Sequence, residues 1–149
     1  MKKSTATEPE SCWPHFLTAH ALLTEKIEQR LSEAGMPPLG WYDVLWALER
    51  AEGHRLRMHE LAHYVVLTRS NLTRLADRLM AAGLLVREPD PNDRRGAFAV
   101  LTAEGKALRK KMWPLYSAAI GELYDAQLSG EEQRVLGNAL RKLISAARA

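Results

Sequence analysis

The stretch TRSNLTRLADRLMAAGLLVREPDPNDRRGAFAVLT, residues 68–102, decides the fold. Leu72, Leu75, Ala76 and Leu79 recur at i, i+3, i+4 and i+7, the spacing of one apolar stripe on a helix. The opposite face carries Ser70, Asn71, Thr73, Arg74, Asp77 and Arg78, hydrogen-bonding groups of several shapes. Thr68 or Ser70 suits the N-cap, and Gly83 stands where a helix C′ residue belongs. Two extended segments, 84–88 and 97–101, then flank a polar tip from Pro89 to Gly96 that bears Arg94 and Arg95. This predicts a β-hairpin with a long basic tip. An arginine-bearing helix face followed at once by such a hairpin suits two adjacent grooves of DNA.

The rest of the chain reads as a frame for this unit. Its 149 residues suffice for one domain with a buried core. A net charge of +3 says little by itself, but its distribution says more. Of 14 arginines, eight (Arg55, Arg57, Arg69, Arg74, Arg78, Arg87, Arg94 and Arg95) fall between positions 55 and 95, where there is no lysine. Arginine is the side chain for forked hydrogen bonds to phosphates and guanine edges. The plainer alternative is a solvated face paired with Glu60, Asp77, Glu88, Asp90 and Asp93; that leaves Arg94 and Arg95 unexplained. A single cysteine, Cys12, excludes an internal disulfide and fits a reducing compartment. The polar first residues predict no signal peptide, and no stretch approaches the ~20 apolar residues of a membrane span. A soluble cytoplasmic protein is expected.

In chain order, residues 1–11 are expected to be a mobile tail and 12–149 a single domain. Phe16, His20, Leu23, Ile27, Leu31 and Ala34 keep a helical stripe until Gly35, and Pro37-Pro38 break it. A second helix over 39–51 is apolar on most sides, so it is central, and Gly53-His54 ends it. A short helix over 58–65 and the turn Val66-Leu67-Thr68 lead into the first helix described, which spells helix-turn-helix. After the hairpin, Thr102 caps a helix expected to reach about Gln127, with a kink at Pro114. Ser129 and Glu132 form a capping box for a last helix. The terminal helices carry apolar stripes with little chain left to cover them, which predicts a dimer. Two-fold symmetry would set two reading helices ~34–36 Å apart, one turn of DNA.

In this order and spacing the chain resembles the MarR-type (multiple antibiotic resistance regulator) winged-helix regulators, from about Phe16 to Ala147. The residues that carry the resemblance are Glu60-Leu61-Ala62, 71–79 (NLTRLADRL), 83–87 (GLLVR) and 90–102 (DPNDRRGAFAVLT), followed by Glu104-Gly105. The family's Asp-x-Arg wing signature falls on Asp93 and Arg95, and its Leu-Thr-x-x-Gly on Leu101–Gly105. The resemblance implies a mainly α fold with a small β-hairpin wing. It places the winged helix-turn-helix lobe at 38–102, and the long dimerisation helices at 12–36 and 103–149. It also implies a homodimer on a pseudo-palindromic double-stranded operator, with no enzymatic activity and no cofactor. Ser70, Thr73 and Arg74 would face the major groove beside Thr68 and Asn71, with Arg69 and Arg78 nearer the backbone. Arg95, with Arg94, would enter the minor groove, and Asp93 would brace the wing. The family also implies repression relieved by a small aromatic or phenolic effector, for which Trp13, His20, Trp41, Tyr42, Trp46, Trp113 and Tyr116 are candidates, with His15 nearby. The alternative for each aromatic is ordinary core packing.

Two other readings compete. His59-Glu60-Leu61-Ala62-His63 matches H-E-x-x-H, in which two histidines on one helix face bind zinc and the glutamate acts as general base. The usual continuations are missing: Val66 and Arg69 stand where glycine and histidine belong, so no metal site is expected and a zinc hydrolase is the minor alternative. Cys12 invites an oxidant-sensing role, but its sequence neighbours Lys2, Lys3 and His15 are the only cations at hand to activate a thiol.

Overall fold

A computed structural model describes residues 11–65 and 69–149; the side chains of Arg69 and Ser70 fall outside that description. The expected tail up to Glu10, and the turn with the site residue Thr68, therefore lie outside the described residues. Mainly helical structure around a small antiparallel sheet is what the sequence predicts, and it is what is found.

The chain divides into two compact units, Arg30–Leu115 and Met1–Gln29 with Tyr116–Ala149. The first unit begins with the end of α1 (Trp13–Glu33). Met36 donates its N–H to the Leu31 carbonyl at 2.8 Å and Gly35 donates to Ser32 at 3.0 Å, a Schellman stop that needs the positive φ of Gly35. Pro38 then opens α2 (Leu39–Arg50), and a single 3₁₀ turn (Glu52–His54) leads into β1 (Arg55–Arg57). Helices α3 (Met58–Tyr64) and α4 (Arg69–Ala81) follow. Strands β2 (Leu85–Asp90) and β3 (Asp93–Leu101) form the hairpin, and α5 (Ala103–Leu123) leaves it. The sheet order is β1-β3-β2, antiparallel throughout.

The core lies where α2, α3, α4 and the sheet meet. Val44, Leu45 and Leu48 of α2, Leu61 of α3, Leu72, Leu75 and Leu79 of α4, and Leu84, Leu85, Ala99 and Leu101 of the hairpin are buried together. Each leucine removed fully from water stabilises the fold by about 1.5–3 kcal/mol, so this cluster fixes how α4 lies on the sheet. The stripe read from α4 is the one buried: Leu72, Leu75, Ala76 and Leu79.

Three expectations need correction. Strand β1 was not anticipated. Three residues are too few for a periodic signal, and Gly53-His54 reads as a helix end; both take positive φ (69° and 53°) and turn the chain back so that Arg57 pairs with Phe98 of β3. The wing is also longer and tighter than the expected segments 84–88 and 97–101. The ladder runs out to Asp90↔Asp93, leaving Pro91-Asn92 at the tip. Pro89 is tolerated because β2 is an edge strand. Within the polar tip the acids bond the backbone, Asp90 Oδ1 accepting from the Asn92 N–H at 2.9 Å and Asp93 Oδ1 from the Arg95 N–H at 3.0 Å. Finally, α5 ends at Leu123 and a 3₁₀ turn (Asp125–Gln127) follows; as expected, Pro114 does not end the helix.

The second unit comprises most of α1, the end of α5, and α6 (Gly130–Arg148). Its capping box is complete: Glu132 N–H donates to Ser129 Oγ at 3.1 Å, and Ser129 N–H to Glu132 Oε1 at 2.9 Å. Trp13, Phe16, Leu17 and Leu22 of α1 and Val135, Leu143 and Ile144 of α6 are exposed.

Candidate nucleic-acid interface

Helix α4 presents Asn71, Thr73, Arg74, Asp77 and Arg78 on its exposed side, the consequence of the apolar stripe behind them. Arg69 and Ser70 open the helix. The helix is stopped sharply. Leu84 donates its N–H to the Leu79 carbonyl at 2.9 Å and Gly83 to Met80 at 3.0 Å, with φ +74° at Gly83. Only a residue free of a Cβ takes that conformation without strain, and it delivers the chain into β2 within two residues.

The wing projects Asp93, Arg94 and Arg95 into solvent. Consecutive strand residues point to opposite faces, so the two arginines look out on opposite sides of the ribbon. Neither has an ion pair among the described residues, nor do Arg74, Arg78 or Arg87. Asp93 acts on the backbone, holding the Arg95 N–H; a Cβ on Gly96 would stand 3.1 Å from Asp93 Oδ2.

Arg57 is different. Its Nε donates to Asp90 Oδ2 at 2.7 Å and its Nη1 to Glu60 Oε1 at 3.2 Å, while its guanidinium lies 4.8 Å from the Phe98 ring centre. The plainer reading of the arginine cluster therefore holds for this member. The hydrogen bond from Arg57, helped by the Asn92 N–H, keeps the Asp90 carboxyl below its usual range, and Asp90 in turn raises Arg57. The Arg55 guanidinium sits 4.4 Å from the Phe98 ring centre. In the sequence Asp90 is one of five possible partners and Arg57 one of eight clustered arginines, with nothing to pair the two. The two are 33 residues apart, and no local pattern joins them.

The wing is anchored to α5 through the Leu-Thr-x-x-Gly segment. Thr102 Oγ1 donates to the Gly83 carbonyl at 2.7 Å and accepts from the Gly105 N–H at 3.0 Å, the N-cap expected of it. A Cβ at Gly105 would lie 2.1 Å from the Leu84 carbonyl oxygen and 2.8 Å from Leu101 Cδ1. Close backbone approach, a requirement invisible in the sequence, demands glycine there.

Of the aromatic candidates, Tyr42 is buried and stacks on Trp113 with centroids 6.0 Å apart. Beside them Arg109 grips Glu49 with two hydrogen bonds, 2.7 and 3.2 Å, and its guanidinium lies 4.8 Å from the Trp46 ring centre. Burial alone would lower the Arg109 pKa; the bonds to Glu49 and Tyr42 outweigh it and hold it above the ordinary value. Trp41 packs on the core. Trp13, His20 and Tyr116 belong to the other unit, where Trp13 stacks on Phe16 at 5.9 Å. A groove of about 660 Å³ in the first unit is bordered by Trp46, Arg50, Arg55, Tyr64 and Phe98. Cys12 is exposed. Glu60 is engaged by Arg57, His63 lies edge-on to Tyr64, and among the described residues no cluster of three metal-ligating side chains occurs. No helix is long and apolar enough to cross a membrane among the described residues.

Comparison with known proteins converges on one family. A sequence model described as MarR family matches residues 34–96. The chain is 35% identical over 105 residues to the transcriptional regulator HosA of Escherichia coli O111:H-, covering 70% of this chain and 76% of that protein. It is 33% identical over 86 residues to YkoM, an uncharacterized HTH-type transcriptional regulator of Bacillus subtilis strain 168, where 58% of this chain matches 55% of that protein's length. Among solved structures it is similar to Sco3205 of Streptomyces coelicolor, described as a MarR family transcriptional regulator in complex with DNA. The identity there is 32% and the TM-score 0.87, over 98% of this chain and 91% of that one.

Proposed function

The chain belongs to the MarR family of transcriptional regulators, and we propose that it binds double-stranded DNA sequence-specifically as a homodimer, acting as a repressor. Transcriptional regulation rather than enzymatic chemistry is the work of this family. One observation carries the reading: α4 and the wing of one unit present Arg74, Arg78, Arg94 and Arg95 to solvent with no carboxylate partner among the described residues. Cations that the fold leaves unneutralised on a reading helix and a β-ribbon suit phosphates and base edges.

The roles proposed for individual residues are those that the family resemblance implies. Ser70, Thr73 and Arg74, with Thr68 and Asn71, face the major groove; Arg69 and Arg78 meet the backbone. Arg95, with Arg94, enters the minor groove, whose narrow A·T stretches concentrate negative potential. Asp93 holds the turn that aims them. The apolar residues exposed on α1 and α6 are proposed to be covered by a second copy, which also sets the two reading helices one DNA turn apart.

The test is fluorescence anisotropy on DNA from upstream of the protein's own gene, across a salt series. Binding that weakens linearly in log salt, and prefers this DNA over a scrambled duplex, is expected. Equal binding to both duplexes would refute sequence reading. A small aromatic or phenolic effector is the second proposal, supported by the open groove beside Trp46 and the clustering of Tyr42, Trp46 and Trp113. Salicylate that quenches tryptophan emission and releases the DNA would support it; release without quenching, or neither, would remove these residues from the effector site.

A further inference from the structure

Strand β1 covers β3 only from Phe98 to Val100. Beyond that point the outer hairpin, residues 89–97, has no β-neighbour but itself. A two-stranded ribbon alone is marginally stable in water, so something else has to fix its direction. The register shifts between Pro89 and Asp90, and a bulge of this kind re-aims a side chain. Here it turns Asp90 inward until only 6% of it is exposed, while the four residues before it are exposed.

Arg57 meets it there. This side chain stands at the junction of β1 and α3 and has three attachments: Asp90 of the wing, the face of Phe98 of the wing, and Glu60 of α3. Helix α3 is the element that leads into α4. We infer that the Arg57–Asp90 pair is a brace that sets the angle of the wing against the helix-turn-helix. Arg57 is thus a positioning residue for DNA binding, acting through Arg94 and Arg95 rather than by touching DNA. A direct phosphate contact is disfavoured because the Nε and Nη1 donors of Arg57 are already taken by Asp90 and Glu60. The inference rests on the DNA-binding reading above and adds to it a residue and a mechanism.

Charge gives the test its sign. Removing a carboxylate from a DNA-binding protein strengthens binding by simple electrostatics; removing one that braces the wing weakens it. The experiment measures affinity of the full chain for a duplex that the wild type selects from a random-sequence library. Arg95→Ala is expected to weaken binding by about 5- to 150-fold, the range for loss of a groove arginine. Asp90→Asn and Arg57→Gln should each weaken it by no more than Arg94→Ala and Arg95→Ala do together, although they change the net charge in opposite directions. Arg57→Lys, which keeps a cation near Asp90, should retain more affinity than Arg57→Gln. In an Arg94→Ala/Arg95→Ala background the wing-dependent loss should vanish, leaving only the small electrostatic change, tighter for Asp90→Asn and weaker for Arg57→Gln, the non-additivity of residues acting through one contact.

Circular dichroism and thermal midpoints accompany each variant. Should Asp90→Asn fail to fold, the Lys-versus-Gln comparison and the double-variant background still decide. Asp90→Asn that leaves binding unchanged or tightens it, while Arg95→Ala weakens it, overturns the brace alone. Brace variants that lose the same factor without the wing arginines also overturn it. A silent Arg95→Ala overturns the wing reading itself, and the brace with it.

Discussion

Individual arginines in this chain do different work because their surroundings differ. Arg57 and Arg109 are each held by a carboxylate, whereas Arg78 stands exposed on α4. Arg78→Ala should therefore leave the fold intact, weaken binding to all DNA sequences alike and flatten the log–log salt slope by about one. A loss confined to one operator sequence would place Arg78 at a base edge instead. The Arg109–Glu49 pair gives the opposite expectation. Its side chains are only 11% and 14% exposed, and truncating one partner of a buried pair strands the other charge. Glu49→Ala should destabilise by about 3–5 kcal/mol in denaturant unfolding, against ~0–1 kcal/mol for breaking the exposed Arg134–Glu131 pair. Equal effects would mean that water reaches Arg109 freely.

Among the elements, the junction of α4, wing and α5 is the tightest. Gly83 ends one helix, Thr102 starts the next and bonds back to Gly83, and Gly105 lets the α5 backbone lie against Leu84. Gly105→Ala forces a methyl group onto a backbone oxygen that has no rotamer to escape into. The expected result is about 1–3 kcal/mol of lost stability, the range for overpacking, together with weaker DNA binding as the wing shifts. Unchanged stability would show that α5 can slide. This junction also marks what sequence can and cannot reveal. The ends of α4 and α6 were legible because capping is local: Gly83, and Ser129 with Glu132, act within one turn of their own helix. Strand β1, the Arg57–Asp90 bond and the Gly105 contact depend on residues brought together from far apart, and a periodic pattern carries no such information. The tip of the wing hides its ladder for a related reason, since a polar stretch with two prolines carries no strand pattern, yet Asp90 and Asp93 bond the backbone of a continuing ladder.

At the scale of the whole molecule, pH acts through carboxyls held below their usual range. Arg57 lowers Asp90, and the Ser129 N–H lowers Glu132. A carboxyl depressed in the folded state contributes stability that is complete above its ordinary value, 3.8 for Asp90 and 4.5 for Glu132, and is lost as pH falls through the folded value. These two groups therefore leave the thermal midpoint unaffected between pH 6 and 8 and lower it only in acid, from about 4.5 downward. Asp90→Asn should remove part of that acid loss. A variant as acid-sensitive as the wild type would show that the pair contributes nothing to global stability.

The central proposal is a dimer that reads two half-sites, and selection from a random DNA library, followed by footprinting of the winner, tests this most directly. An enriched inverted repeat is expected, with half-sites about 10 bp apart, centre to centre, protected together on both strands. An enriched pool with no inverted repeat, or protection of a single half-site, would contradict it.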